Sequence, residues 1–428
     1  MSDIKCAVQI FCTAFYCLEN RTIQGRMVKK MKLFVYDWSF ITKHDLYNYF
    51  RKQGIEVDLF TTSVSPRIAA ERKRFQENLE KTLEGKKYDA IFSINYFEDL
   101  AIAANERDML YICWTYDSPA LGYYTKNHAL DTNRFFVFDS YEYNQYKSAG
   151  MQNLYYLPLA VDTNRLNKMR PTPMEKMKYY SDVSFIGQLY QSDMDKILPM
   201  FDEYSAGYVS AMINAQLEIY GVNLIEELIN ENVIQKICNT EVTEALLKNM
   251  NKRFYHDVEE VGKNTLTGFL LKAVTNKERV LLLTLLAKYF RVKLFTPGNP
   301  QLTNVTTCGV VDYVEKMPLV FKSSKINLNI TLRNIRHGIP QRVIDILGCR
   351  ALALTNYQKD LEEYFEDGKN ILIYHSIEEA LDKCKFYLKH ENEAERIRQN
   401  GYKIVKDQFS YEHQLNKIWE LSELKDRL

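Results

Sequence analysis

Short apolar segments alternate with charged, helix-patterned stretches from Met31 onward, and this alternation limits the fold more than any other feature of the chain. In the first half the apolar segments are Lys32–Tyr36, Ile55–Phe60, Tyr88–Ile94, Leu110–Trp114, Arg134–Phe138 and Leu154–Leu157. Between them the pattern predicts helices. One opens at Thr42, with Asp45 three residues in, and closes at Gly54; a charged one runs through Arg74 to Gly85; others start at Phe97 and at Tyr141, the latter ended by Gly150. A strand followed by a helix and another strand means parallel pairing, because parallel neighbours need a crossover connection and the helix supplies it. The expected architecture is α/β, with doubly wound sheets.

A second series begins at Asp182–Ile186 and continues with Val292–Phe295, Lys325–Ile330, Ala351–Thr355 and Asn370–Tyr374. Two series imply two domains facing a cleft. We place an N-terminal extension at 1–30, a first domain at 31–165, a connecting segment at 166–181, a second domain at 182–410 and a C-terminal helix at 411–428. The residues from about 200 to 274 are mostly helical in pattern and too long for a simple crossover, so they form a helical insertion, a possible homodimer contact. Thr275-Asn276-Lys277-Glu278 reads as a capping box that opens the next helix.

A chain of 428 residues is too long for one ordinary domain. Lys plus Arg total 56 against 55 Asp plus Glu, a net charge of +1, which argues against nucleic-acid binding by bulk charge and leaves room for a local anion site. No apolar run reaches the ~18–20 residues of a membrane span. The eight cysteines include no C-x-x-C pair, so reduced thiols and a cytoplasmic location are expected.

From Lys316 to Ile344, 29 residues, there is no Asp or Glu, whereas Lys316, Lys322, Lys325, Arg333, Arg336, His337 and Arg342 all fall there. Such a local excess asks for an anion. The strand Lys325–Ile330 leads into a loop, and Pro340 stands where a helix begins. Helix starts carry unpaired N–H groups and partial positive charge. Gly338 lets the backbone approach closely, Arg342 can fork onto phosphate oxygens, and Asp345, about a turn later, suits a ribose hydroxyl. Together these describe a nucleoside-diphosphate site.

The run Lys325–Ile330, the phrase Arg336-His337-Gly338-Ile339-Pro340-Gln341-Arg342-Val343-Ile344-Asp345, then Leu354-Thr355-Asn356, Phe365–Gly368 and Ile371–Tyr374, resemble the C-terminal domain of CgeB-like (spore-maturation-protein-like) glycosyltransferases. These are relatives of the glycosyltransferase group 1 enzymes with the two-domain GT-B fold. Asp117-Ser118-Pro119, Leu157–Asp162 and Phe185-Ile186-Gly187 resemble elements of the same architecture. The resemblance implies two Rossmann-like domains and transfer of a sugar from a nucleotide-sugar donor, such as a UDP- or GDP-sugar, to an acceptor that is a protein, a glycan or a small molecule. It implies donor contacts from Gly187, Gln188, Arg333, Arg336, Gly338, Arg342 and Asp345, with no metal and no cofactor. His337 and Asp345 take the places where many relatives carry two glutamates with seven residues between them, Gln188 the place of a common arginine, and Arg350 that of a common glycine.

Asp117 follows a strand and is the leading candidate for the base, with Asp37 behind it; His337 could reach sugar or phosphate. Tyr96 and Tyr116 lie in loops expected to face the cleft, where sugars favour aromatic faces. Two other readings stay open: a nucleotide-sugar epimerase, and a non-catalytic assembly or surface protein that kept the fold.

Overall fold

In the computed structural model the described residues are 30–120, 126–190, 194–238, 242–246 and 262–428; the expected extension and part of the insertion lie outside them. Strands β1 (Lys32–Tyr36), β2 (Glu56–Phe60), β3 (Ala90–Ile94), β4 (Leu110–Trp114), β5 (Asn133–Val137) and β6 (Leu154–Tyr156) form one sheet in the order β2-β1-β3-β4-β5-β6. Strands β7 (Ser181–Ile186), β8 (Val292–Phe295), β9 (Thr306–Thr307), β10 (Ser324–Asn329), β11 (Ala353–Asn356) and β12 (Leu372–Tyr374) form the second, ordered β12-β11-β10-β7-β8-β9. Every pairing in both sheets is parallel. Helices cover both faces, which is why strands such as β3 (Ala-Ile-Phe-Ser-Ile) are buried at every position rather than alternating. Gly54, Gly85 and Gly150 take the left-handed conformation that ends their helices. The chain is thus two doubly wound α/β units, the GT-B arrangement.

The capping box expected at Thr275 is not there. A single helix runs from Lys263 to Ala287, and the Thr275 hydroxyl donates to the carbonyl of Leu271 one turn back, at 2.9 Å. The apolar stripe decides this: Leu270, Leu271 and Val274 bury in the helical insertion, while Leu282, Leu283 and Leu286 bury against the second sheet. One helix therefore serves both cores and has no reason to break between them. Asp45, expected at a helix N3 position, does not cap either. It is buried and takes the Arg165 guanidinium on both oxygens, at 2.6 and 2.7 Å.

The residues between the sheets form two short helices, Thr163–Lys168 and Pro173–Tyr179, the second with a capping box of Thr172 and Glu175. The final helix, Tyr411–Leu421, packs on the first sheet rather than the second. Leu415, Ile418 and Trp419 bury beside Phe50, Phe92 and Ile112, and each such side chain contributes roughly 1.5–3 kcal/mol. The chain end thus straps the two units together. Among the described residues no helix is long and apolar enough to cross a membrane.

Candidate active site at the crevice between the sheets

Open α/β sheets bind ligands beyond the carboxyl ends of their strands, where the strand order reverses. In the second sheet that point lies between β7 and β10, and in the first between β1 and β3. The two ends face each other. The loop after β5 meets the loop after β10: Asp139 accepts the backbone N–H of Arg336 at 2.9 Å and that of His337 at 3.3 Å, and His337 Nδ1 lies 3.2 Å from the Ser140 hydroxyl. Asp360 accepts the Ser140 backbone N–H at 3.0 Å. Gly338 sits in this seam. A Cβ there would lie 2.8 Å from the Phe138 ring and 3.1 Å from the Asp139 Cα, so glycine is required by the approach of the two units. The expected close backbone approach is real, and in this structure its partner is protein.

The cations of the acid-free stretch are mostly engaged. Arg333 donates from Nε to Glu278 at 2.8 Å and to the carbonyls of Ile219 and Leu217, with its guanidinium 4.0 Å from the Tyr220 ring centre. Arg336 pairs with Glu226 and lies over the Tyr141 ring. Lys325 is 3.8 Å from Asp182, and Lys322 donates to the carbonyls of Leu166 and Met169. These partners come from the insertion and the long helix that follows it, from β7, from the first half and from the connecting segment. A window of sequence without acids shows nothing about acids that arrive from distant positions. Arg342 differs: its guanidinium touches the Met317 sulfur and the Phe321 ring, and no ion pair is formed with it among the described residues.

Asp345 is fully buried rather than open to a ribose. Its Oδ1 accepts from the Tyr313 hydroxyl at 2.8 Å and from Gln341 Nε2 at 2.9 Å, while Oδ2 has no partner. Burial pushes its pKa up to about 6, against the pull of Arg342, Gln341, Tyr313 and Arg165. Around it the Gln341 Oε1, Thr42 Oγ1 and the hydroxyls of Tyr116 and Tyr411 also lack partners at hydrogen-bonding geometry. These enclosed polar atoms are drawn from both units, and the Tyr116 hydroxyl stands against those of Thr42 and Tyr411. Since the folded state holds the Asp345 proton more tightly than the unfolded chain, stability is greatest with that proton bound and falls as pH rises from about 4 to about 6. We expect Asp345→Asn to stabilise the protein by on the order of 2–3 kcal/mol at pH 8, with the gain shrinking toward pH 4.5. Urea unfolding at both pH values checks this; an equal effect at both rejects it.

The sequence reading missed two residues. Arg279 lies inside the long helix and is almost fully buried. Its guanidinium donates to the carbonyls of Gln188, just after β7, and Ile330, just after β10, so it bridges the switch point of the second sheet. It stacks over the Tyr190 and Phe185 rings at 4.7 and 5.1 Å, and its Nε has no partner. Arg342 is close enough to depress its pKa, although burial is the larger cause. The Arg279 guanidinium also stands beside Gly187, 3.8 Å from where a Cβ there would lie. The signal available in sequence was Gln188 standing where an arginine was expected; nothing local pointed to a residue some ninety positions later.

The second is Asn95, at the switch point of the first sheet and in the left-handed region (φ 63°) that asparagine tolerates. Its side-chain oxygen accepts the N–H groups of Tyr116 and Asp117 at 2.8 and 3.1 Å, and its amide donates to the Asp117 carboxylate at 2.6 Å. Crowding of that carboxyl raises its pKa against the pull of Arg67 and Asn95, yet the residue keeps an exposed surface and can be reached from solvent. Asp37 instead accepts from Tyr47 at 2.9 Å and from Lys43 and Thr61. Tyr96 is buried in the first core and Tyr116 packs on Trp114, so neither ring is offered to the crevice.

Residues 269–420 match the family model described as glycosyl transferase-like. Among solved structures, sucrose-phosphate synthase from Thermosynechococcus elongatus superposes with a TM-score of 0.54 at 9% identity, over 92% of this chain and 98% of that one. HepE from Anabaena, in complex with UDP-glucose, gives 0.48 at 10% identity over 93% and 100%. A glycosyltransferase from Rickettsia africae gives 0.48 at 9% over 92% and 98%. At these identities the likeness is one of fold. No curated protein matches the chain at comparable significance.

Proposed function

We propose that this protein is a glycosyltransferase that takes its sugar from a nucleoside-diphosphate donor seated beyond the carboxyl ends of β7 and β10. The observation that carries the proposal is Arg279 bridging the switch point beside Gly187, with Arg342 held in no ion pair among the described residues and both arginines inside the segment that matches the glycosyl transferase-like family. As the sugar leaves, negative charge grows on the departing diphosphate. Fixed guanidinium groups in a site shielded from water, with the unpaired N–H groups at the start of the helix Gln341–Gly348, steady that charge without a metal. Asp345, closed off from solvent, would act on the donor only through Gln341, which it holds at the start of that helix, and Gln188 would contribute its backbone rather than its side chain.

Asp117, held by Asn95 and still reached from solvent, is the base we assign to the acceptor hydroxyl on the first unit. His337 lies in the seam against Ser140 and Tyr141, and its pKa is depressed by desolvation, so its role is to join the two units around the donor. Arg333 and Arg336 shape the loop from behind, through Glu278 and Glu226.

A thermal-shift screen of UDP, GDP and their sugars tests the donor site. A ligand at 100 times its Kd stabilises by about 2.7 kcal/mol. We expect a shift from one nucleotide class that Arg342→Ala removes, and release of free nucleoside diphosphate when a competent acceptor is added. Binding without release under any acceptor mixture favours the non-catalytic reading. Release without transfer to acceptor favours the epimerase. Absence of a shift with every nucleotide rejects the site.

A further inference from the structure

On the opposite edge of the second sheet, at the amino ends of β10 and β11, lies a cavity of about 370 Å³. Its walls carry Lys176, Lys322, Lys325, Arg350 and Arg398, against only Glu391 and Glu395. Both acids are taken by Arg398, at 2.7 and 2.8 Å. Lys325 has Asp182 at 3.8 Å, whereas neither Lys176 nor Arg350 is given a carboxylate partner among the described residues. The cavity thus holds more positive charge than its own acids balance.

Ser323 lines the cavity, is 9% exposed, and its hydroxyl has no hydrogen-bond partner. Arg350 takes φ 57° because it follows the end of the helix Gln341–Gly348, where its N–H donates to the Leu347 carbonyl at 3.0 Å and that of Ala351 to the Ile346 carbonyl at 3.2 Å. The Tyr402 ring lies 4.2 Å from its guanidinium. Lys322 is crowded by burial and by Arg170 and Arg350, and its ammonium already donates to Leu166 and Met169 in the connecting segment. Lys176 and Tyr180 belong to the end of that same segment.

We propose that this cavity is an anion site for a phosphoryl group on a small, sugar-sized body, separate from the crevice at the carboxyl ends. An arginine fork and an ammonium group, Arg350 and Lys176, are donors that a dianionic tetrahedral group takes up. The volume exceeds that of the ion alone, and Tyr180 lines the space left for the rest of the ligand. Because Lys322 and Lys176 also touch the segment joining the sheets, occupancy stiffens that junction.

The test uses the full chain and thermal shift with a hexose 6-phosphate, inorganic phosphate, and the unphosphorylated hexose as the blank. The monoester is expected to raise the Tm of the wild-type protein and of Arg342→Ala, but not of Arg350→Gly or Lys176→Glu. Free Arg350→Gly should melt no lower than wild type, since glycine adopts that backbone freely, so loss of its ligand shift is not loss of the fold. A monoester shift larger than that of phosphate assigns the site to a sugar-sized phosphate; equal shifts assign it to the free ion. No shift with either, a shift kept in both cavity variants, or one lost in Arg342→Ala overturns the proposal. None of these outcomes depends on donor turnover.

Discussion

Glu278→Ala is expected to cost about 3–5 kcal/mol, the largest single effect on stability among the residues discussed. Glu278 has no exposed surface, and it accepts from Arg333 Nε at 2.8 Å, from the Tyr220 hydroxyl at 2.8 Å and from the Tyr374 hydroxyl at 3.2 Å. Deleting it leaves a guanidinium that cannot shed its proton in a site closed to water, along with two tyrosine hydroxyls without an acceptor. The reverse change, Arg333→Met, should be milder. A carboxyl can take a proton and persist as a neutral group held by the two hydroxyls, and this escape is easier at low pH. Urea denaturation of Glu278→Ala, Arg333→Met and the double methionine variant checks the ranking. The double variant should lose less than Glu278→Ala, because no charge is left stranded. If Glu278→Ala costs under 1 kcal/mol, the pair is not holding a buried charge, and the account of the loop after β10 fails with it.

Arg279→Ala should lower kcat/KM for sugar transfer about 10²–10³-fold, the range for removing one preorganised group that meets charge grown in the transition state. The variant also frees the carbonyls of Gln188 and Ile330, so some loss of stability accompanies it, roughly 1–3 kcal/mol for each one left buried. Arg279→Lys separates the two effects. It keeps the charge but cannot fork across both carbonyls, so kcat should recover in part while the donor KM stays raised. Full activity in either variant, measured on protein whose circular dichroism is unchanged, would remove Arg279 from the site and leave the donor phosphates to Arg342 alone.

The strands and most of their helices were readable because they depend on neighbours in sequence. Leu110–Trp114 and Lys32–Tyr36 are strands over the very residues that the apolar runs marked, and Gly54, Gly85 and Gly150 end helices for a reason internal to each glycine. The parallel sheets followed from the crossover rule. The insertion helix was misjudged at Thr275 because a capping box and an ordinary helical turn contain the same residue types. Which of the two forms depends on whether the preceding residues have something to pack against, and here Leu270, Leu271 and Val274 do.

At the candidate site the outcome was less even. Gly338 was singled out for close backbone approach, and close approach is what it has, but to Phe138 and Asp139 of the other unit. Among the described residues Arg342 has no carboxylate pair, whereas Arg333 and Arg336, equally prominent in the acid-free window, are bound to Glu278 and Glu226. Arg279 gave no sign at all in an amphipathic helix rich in leucine.

Local pattern was enough to specify two parallel α/β units, the places of all their strands but the two-residue β9, and the segment most worth searching, because backbone geometry and burial on a strand or helix are set by residues a few places apart. Which cations remain available to a ligand was settled only by folding. Electrostatic and hydrogen-bond partners are chosen by distance in space, and Glu278, Glu226 and Asp139 reach the loop after β10 from 55, 110 and 197 positions away.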